Sequence, residues 1–163
     1  MHFKSISSTK KGILISLILI FYSFVSFYFF HIPENGRSQY VVMGLYISGM
    51  IWVIVSGKYQ IENPSIKSLF SEGFKAFIVI TLFMALYTFV FYKINPQILE
   101  KGIADNNDII TKQGDKTVME IKENAEKLRS IFMPMMLAIN TIKYIFLGAI
   151  ISIVSGGFIT QKK

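Results

Sequence analysis

The chain has 163 residues, of which 52% are hydrophobic and 17% are charged, and its formal net charge is +7. Soluble domains are about one quarter charged, and here the apolar residues form long blocks, so the composition indicates a membrane protein. Because the chain has no cysteine, disulfides, thiolate metal sites, iron–sulfur clusters and a cysteine nucleophile are excluded.

The first half of the chain contains two predicted membrane spans, at about residues 13–32 and 39–56. A helix rises about 1.5 Å per residue, so a span of about 20 residues crosses the apolar core of a bilayer, which is about 30 Å thick. Basic residues precede the first span, as in a signal peptide, but its apolar run is too long and ends in bulky aromatic residues. These features favour an uncleaved span. Pro33 and Asn35-Gly36 predict a turn between the two spans.

A third span is predicted at about residues 76–92, after a segment that has the spacing of an amphipathic helix. Asn63 and Pro64 are typical of the cap and the first position of a helix. The apolar residues that follow recur at helical spacing: Ile66, Leu69, Phe70 and Phe74. This segment is either a separate helix in the membrane interface or the lower end of the third span.

Residues 95–132 form a polar segment before a fourth predicted span at about 133–159. Thr117 and Glu120 match a capping box, which predicts a helix start. Apolar residues then recur every three or four positions, as on one face of a helix: Val118, Ile121, Ala125, Leu128 and Phe132. This face either folds back onto the span ends or meets a partner or second copy as a short coiled coil. Pro134 either starts a new helix or kinks a continuous one.

The predicted fold is therefore an all-α integral membrane protein, with four transmembrane helices in one domain over residues 1–163 and an amphipathic helix between spans three and four. Four spans put both termini on the same side. Each side carries eight lysine and arginine residues, but those on the terminal side lie in shorter loops close to the span ends. This density favours cytoplasmic termini and an external polar segment.

Lys143 is the one charged residue inside a predicted span, and a charge inside the membrane is a candidate functional group. Its side chain either reaches the nearer membrane face or faces a ligand. Asn140 shares its helix face, so the pair could bind an anion or cap the end of a neighbouring helix. Small residues recur every four positions on three spans and predict close helix packing, within the bundle or between copies: Gly44, Ser48, Thr81, Ala85, Gly148, Ser152 and Gly156.

Other functional classes lack support in the sequence. No residues have metal-ligand spacing, no serine has a nearby base, and no glycine-rich phosphate loop is present, so we expect neither catalytic activity nor a cofactor. The basic residues are spread along both membrane faces rather than forming one patch, which argues against nucleic-acid binding.

Several short motifs carry a family resemblance: Phe-Lys-Ala-Phe at residues 74–77, Asn95-Pro96 after span three, and Met133-Pro134 before span four. In this order they resemble the bacterial four-span membrane proteins of the domain-of-unknown-function 4199 family, over about residues 57–163. The resemblance implies four spans in a bacterial inner membrane, but it does not indicate which activity the protein has or which residues would carry it.

The expected function is that of a non-enzymatic membrane subunit or scaffold, which acts through helix and loop contacts in the bilayer, as a homo-oligomer or with other membrane proteins. The alternative is a small transporter or channel component, with an anion path near Asn140 and Lys143.

Overall fold

A computed structural model describes residues 6–32, 36–114 and 116–161 of the chain. This part of the chain is all α-helical, as predicted, and forms five helices: α1 (Ser8–Tyr28), α2 (Arg37–Lys58), α3 (Ile66–Ile94), α4 (Pro96–Gln113) and α5 (Val118–Gln161). Four of them, α1, α2, α3 and α5, are long and apolar enough to cross a membrane. The turn predicted at Pro33 and Asn35-Gly36 falls largely outside the described residues.

Helix α3 begins later than the sequence pattern suggested and then continues without a break. Its first turn is capped by Ser65 and Ser68 instead of Asn63: the Ser65 hydroxyl accepts from the Ser68 amide at 3.1 Å, and the Ser68 hydroxyl accepts from the Ser65 amide at 2.9 Å. Such reciprocal bonds satisfy free amides at a helix start. The amphipathic segment is thus the first part of the same helix as span three.

The polar segment holds a helix, α4, that the sequence analysis did not predict. Asn95 connects α3 to α4. The side-chain amide of Asn95 donates to the Phe91 carbonyl of α3 at 2.8 Å, and Pro96 occupies the first turn of α4. The helix ends at Gly114, whose φ of +73° is the left-handed conformation that glycine adopts readily.

The predicted capping box at Thr117 is present, but the helix that it starts is not separate from the fourth span. The Glu120 carboxylate accepts from the Thr117 amide at 2.7 Å, and the Thr117 hydroxyl accepts from the Glu120 amide at 3.3 Å. From there α5 runs without interruption to Gln161, with Pro134 inside it. Proline thus lies within a continuous helix and does not begin a new one.

The chain forms two compact units. Unit 1 consists of Met1–Met84 and Thr141–Lys163, and unit 2 consists of Ala85–Asn140. Helices α3 and α5 each contribute residues to both units, whereas α1 and α2 belong to unit 1 and α4 belongs to unit 2.

Helices of unit 1 that follow one another in the chain run in opposite directions, so α1 and α3 are parallel and α2 and α5 run the other way. Lys11, near the start of α1, hydrogen-bonds to Ser56, near the end of α2. Glu72, near the start of α3, bonds to Ser8 of α1. Near the end of α5, Ser152 packs against Gly73, where an added Cβ would lie 2.8 Å from the Ser152 Cβ. The starts of α1 and α3 and the ends of α2 and α5 therefore share one end of unit 1, which we call the charged end.

Large apolar side chains cover the outside of unit 1. Phe21, Phe146 and Phe158 are 70%, 64% and 71% exposed. Apolar surface on this scale is not maintained in water, and together with the length of the helices it indicates that lipid surrounds them.

Candidate functional site

Lys11 is the most deeply enclosed charge of the charged end. Its side chain projects from the first turn of α1 and the residue is only 2% exposed. The ammonium donates to the Ser56 hydroxyl at 2.5 Å and lies 5.6 Å from the centre of the Trp52 ring. The Ser56 hydroxyl in turn donates its own hydrogen bond to the Val53 carbonyl at 2.9 Å. A hydroxyl and an aromatic face of α2 thus hold a cation of α1.

Glu72 supplies the compensating negative charge from α3. Its Oε2 accepts from the hydroxyl of Ser8, which is itself buried, at 2.5 Å. Its Oε1 pairs with the Lys75 ammonium, one turn further along α3, at 2.7 Å. Lys11 lies beyond ion-pair distance of this carboxylate but still interacts with its charge. The carboxylate therefore pairs directly with one cation and acts on a second at longer range.

These side chains form one cluster that joins α1, α2 and α3, and its charges lie near apolar surroundings. Its members are Ser8, Lys11, Trp52, Ser56, Glu72 and Lys75. A buried charge is costly unless it is hydrogen-bonded or paired, and removal of one partner leaves the other uncompensated. The cluster can therefore fix the register of α1 against α2 and α3, and its surplus cation can attract an anion. Among the described residues no group of three or more histidine, cysteine or acidic side chains could hold a metal ion.

The two residues of the predicted polar site lie in different units, and each has contacts within its own unit. In unit 2, the Asn140 side-chain amide donates to the Thr88 hydroxyl at 3.0 Å. In unit 1, the half-buried Lys143 has its ammonium 5.1 Å from the centre of the Tyr144 ring.

Gly148, Ser152 and Gly156, predicted for helix packing, are buried on the inner face of α5. An added Cβ at Gly148 would lie 2.6 Å from the Phe77 Cβ and 2.5 Å from the Tyr46 hydroxyl, whereas at Gly156 it would make ordinary contact with Leu69. Gly148 therefore lets α5 approach both α2 and α3 closely.

The other predicted packing residues differ in environment. Thr81 is buried and Ala85 is half-buried. Gly44 and Ser48 lie on the exposed face of α2, and an added Cβ at Gly44 would meet no described atom within 4 Å. Gly12 and Gly73, which the spacing argument did not select, also form close contacts: an added Cβ at Gly12 would lie 2.9 Å from the Ala76 carbonyl oxygen.

Buried hydroxyls in unit 1 bond mainly to their own helices. Ser16, Thr81 and Ser152 each donate to the carbonyl four residues earlier, at 2.7 Å. Such bonds let a polar side chain face a helix contact without an unsatisfied donor. Among described residues, the buried Ser26 hydroxyl has no partner.

The helices and their apolar outer surfaces define the class of this chain, which is a multi-pass α-helical membrane protein. The chain belongs to the family described as "Protein of unknown function (DUF4199)", which it matches over residues 10–161 and which the sequence motifs indicated. No match was found among curated proteins or solved structures.

Proposed function

We propose that this protein is a non-enzymatic subunit or scaffold of the bacterial inner membrane, with both termini in the cytoplasm, that acts through helix contacts and through unit 2. The observation that carries the proposal is that the connection between spans three and four is a folded helical hairpin. Within it, Arg129 of α5 donates to both carboxylate oxygens of Glu100 of α4, at 2.9 and 2.6 Å.

Other contacts support an ordered hairpin. Phe132 of α5 packs edge-on against Tyr92 of α3, with ring centroids 5.0 Å apart. Ile103 of α4 and Ala125 of α5 are buried. Most of the predicted apolar stripe of α5 packs within unit 2, since Ala125 is buried and Leu128 and Phe132 are half-buried, whereas Val118 at its start is 85% exposed. Charged side chains remain outward. A rigid surface with charges of both signs is suited to binding another protein.

The transport alternative has less support. An anion path near Asn140 and Lys143 needs polar groups that are available to the ion, and the Asn140 side-chain amide already donates to Thr88.

In-cell photocrosslinking tests the proposal. A photoreactive amino acid is placed at Asp108 of α4 or at Lys122 of α5, which are exposed, and at the buried Ile103 as the matched control. We expect discrete adducts of higher mass from the two exposed positions and none from the control. The proposal is wrong if neither exposed position gives an adduct and the protein runs as a solitary monomer in mild detergent.

A further inference from the structure

The charged end of unit 1 has more positive than negative charge. Its described residues include five lysines and two glutamates: Lys10, Lys11, Lys58, Lys67, Lys75, Glu62 and Glu72. Within the cluster itself, the Glu72 carboxylate pairs with Lys75 and bonds to Ser8, one turn of α1 before Lys11. Among Lys11, Glu72 and Lys75, one positive charge is therefore left without a carboxylate.

The members of the cluster differ in their access to an incoming group. Lys11 is enclosed, so it can act only through its field, whereas the side chain of Lys75 is 51% exposed. Trp52, whose ring lies under the Lys11 ammonium, is 42% exposed. A tryptophan and a lysine at the end of apolar helices are typical of the level of lipid headgroups.

We propose that this cluster binds the phosphate group of an anionic phospholipid, with Lys75 as the direct contact and Lys11 as the enclosed charge behind it. A lipid is favoured over a free anion because the cluster lies where apolar helices end, so the acyl chains would cover the exposed apolar side chains beside it. In this arrangement Glu72 competes with the phosphate for Lys75.

Because of this competition, substitutions of Lys75 and Glu72 should change the preference for anionic lipid in opposite directions. A basic residue near an anionic surface contributes enough binding energy for about a fivefold change in affinity. Lys75→Gln should therefore weaken the preference for anionic lipid about fivefold. Glu72→Gln should strengthen it by a similar factor, because Lys75 is released from its carboxylate. Lys112→Gln, at an exposed lysine of α4 in unit 2, is the matched control and should leave the lipid preference unchanged.

Trp52 makes the measurement direct, because it is the only tryptophan in the chain. The full-length protein is reconstituted in mixed vesicles, and quenching of Trp52 fluorescence by brominated phosphatidylglycerol is compared with quenching by brominated phosphatidylcholine. The ratio of the two gives the relative binding constant. We expect a preference for phosphatidylglycerol that falls in Lys75→Gln and rises in Glu72→Gln.

Three results would overturn the proposal. Equal quenching by the two brominated lipids would show no selectivity at the cluster. An unchanged preference in Lys75→Gln would remove the assigned contact, and this variant alters only an exposed side chain, so it should fold even if Glu72→Gln does not. Loss of the preference on adding inorganic phosphate at constant ionic strength would assign the cluster to a free oxyanion instead of a lipid.

Discussion

Gly148 and Gly44 are both helical glycines in apolar segments, but their surroundings are opposite. Gly148 is enclosed by Phe77 and Tyr46, whereas Gly44 faces open space on α2. The closeness of a helix contact, and not the small-residue spacing alone, therefore determines which of these glycines stabilises the bundle.

We predict that Gly148→Ala destabilises the protein, because the added methyl group would overlap the Phe77 Cβ at 2.6 Å. Overpacking of this kind lowers the free energy of unfolding by about 1–3 kcal/mol. The control, Gly44→Ala, should not lower it, because the added methyl group meets no described atom within 4 Å and alanine favours a helix more than glycine does. Reversible unfolding in detergent micelles measures both, and equal effects of the two substitutions would contradict the packing described for α5.

Lys11 shows why the sequence did not reveal the charged cluster. The predicted start of span one left Lys11 among flanking residues, yet it lies in the first turn of α1. The buried face of that helix includes Ser8, Lys11, Gly12 and Ser16. Ser8, Gly12 and Ser16 recur every four residues, and this helical spacing was visible in the sequence. Ser56, the partner of Lys11, and Glu72, the partner of Ser8, were not, because contacts between distant segments depend on how the helices pack.

Between secondary-structure elements, the ion pair of Glu100 and Arg129 joins α4 to α5. Hydrogen bonds from Arg129 hold the pKa of the Glu100 carboxyl below its ordinary value. A carboxyl whose pKa is lowered on folding stabilises the fold above its ordinary pKa, and this contribution is lost as the pH falls through the lowered pKa. Both side chains are exposed, so the pair acts locally.

We therefore predict that Glu100→Gln lowers the hydrogen-exchange protection of Pro96–Gln113 at about pH 7, and that wild type and variant converge as the pH falls through the lowered pKa of the Glu100 carboxyl. Glu123→Gln is the control, because Glu123 is an exposed residue of α5 outside this pair. Equal protection in wild type and Glu100→Gln at neutral pH would show that the pair does not hold the hairpin.

The long helices could be predicted from the sequence because uninterrupted apolar runs permit little else in a membrane. Helix α4 could not, because residues 105–108 are all polar and Gly102 disfavours a helix. The Asn95-Pro96 start and the Gly114 end were the available signals. The continuity of α5 through Pro134 was also undecided, since proline at a predicted boundary is compatible with either outcome.

At the scale of the whole molecule, alternating helix directions in unit 1 place the start of α1, the connection after α2 and the end of α5 at the charged end. The lysines of that end favour the cytoplasmic side. The proposed orientation rests on this density of lysines.

Site-directed labelling tests this account most directly, because the chain has no cysteine and gives no background. Single cysteines replace Ser7 before α1, Gln60 after α2 and Asp108 in α4, all exposed, and cells are treated with a membrane-impermeant maleimide. We predict that Asp108→Cys reacts in intact cells, whereas Ser7→Cys and Gln60→Cys react only after permeabilisation. Labelling of Ser7→Cys and Gln60→Cys on opposite sides of the membrane, or of all three alike in intact cells, would contradict the four-span arrangement.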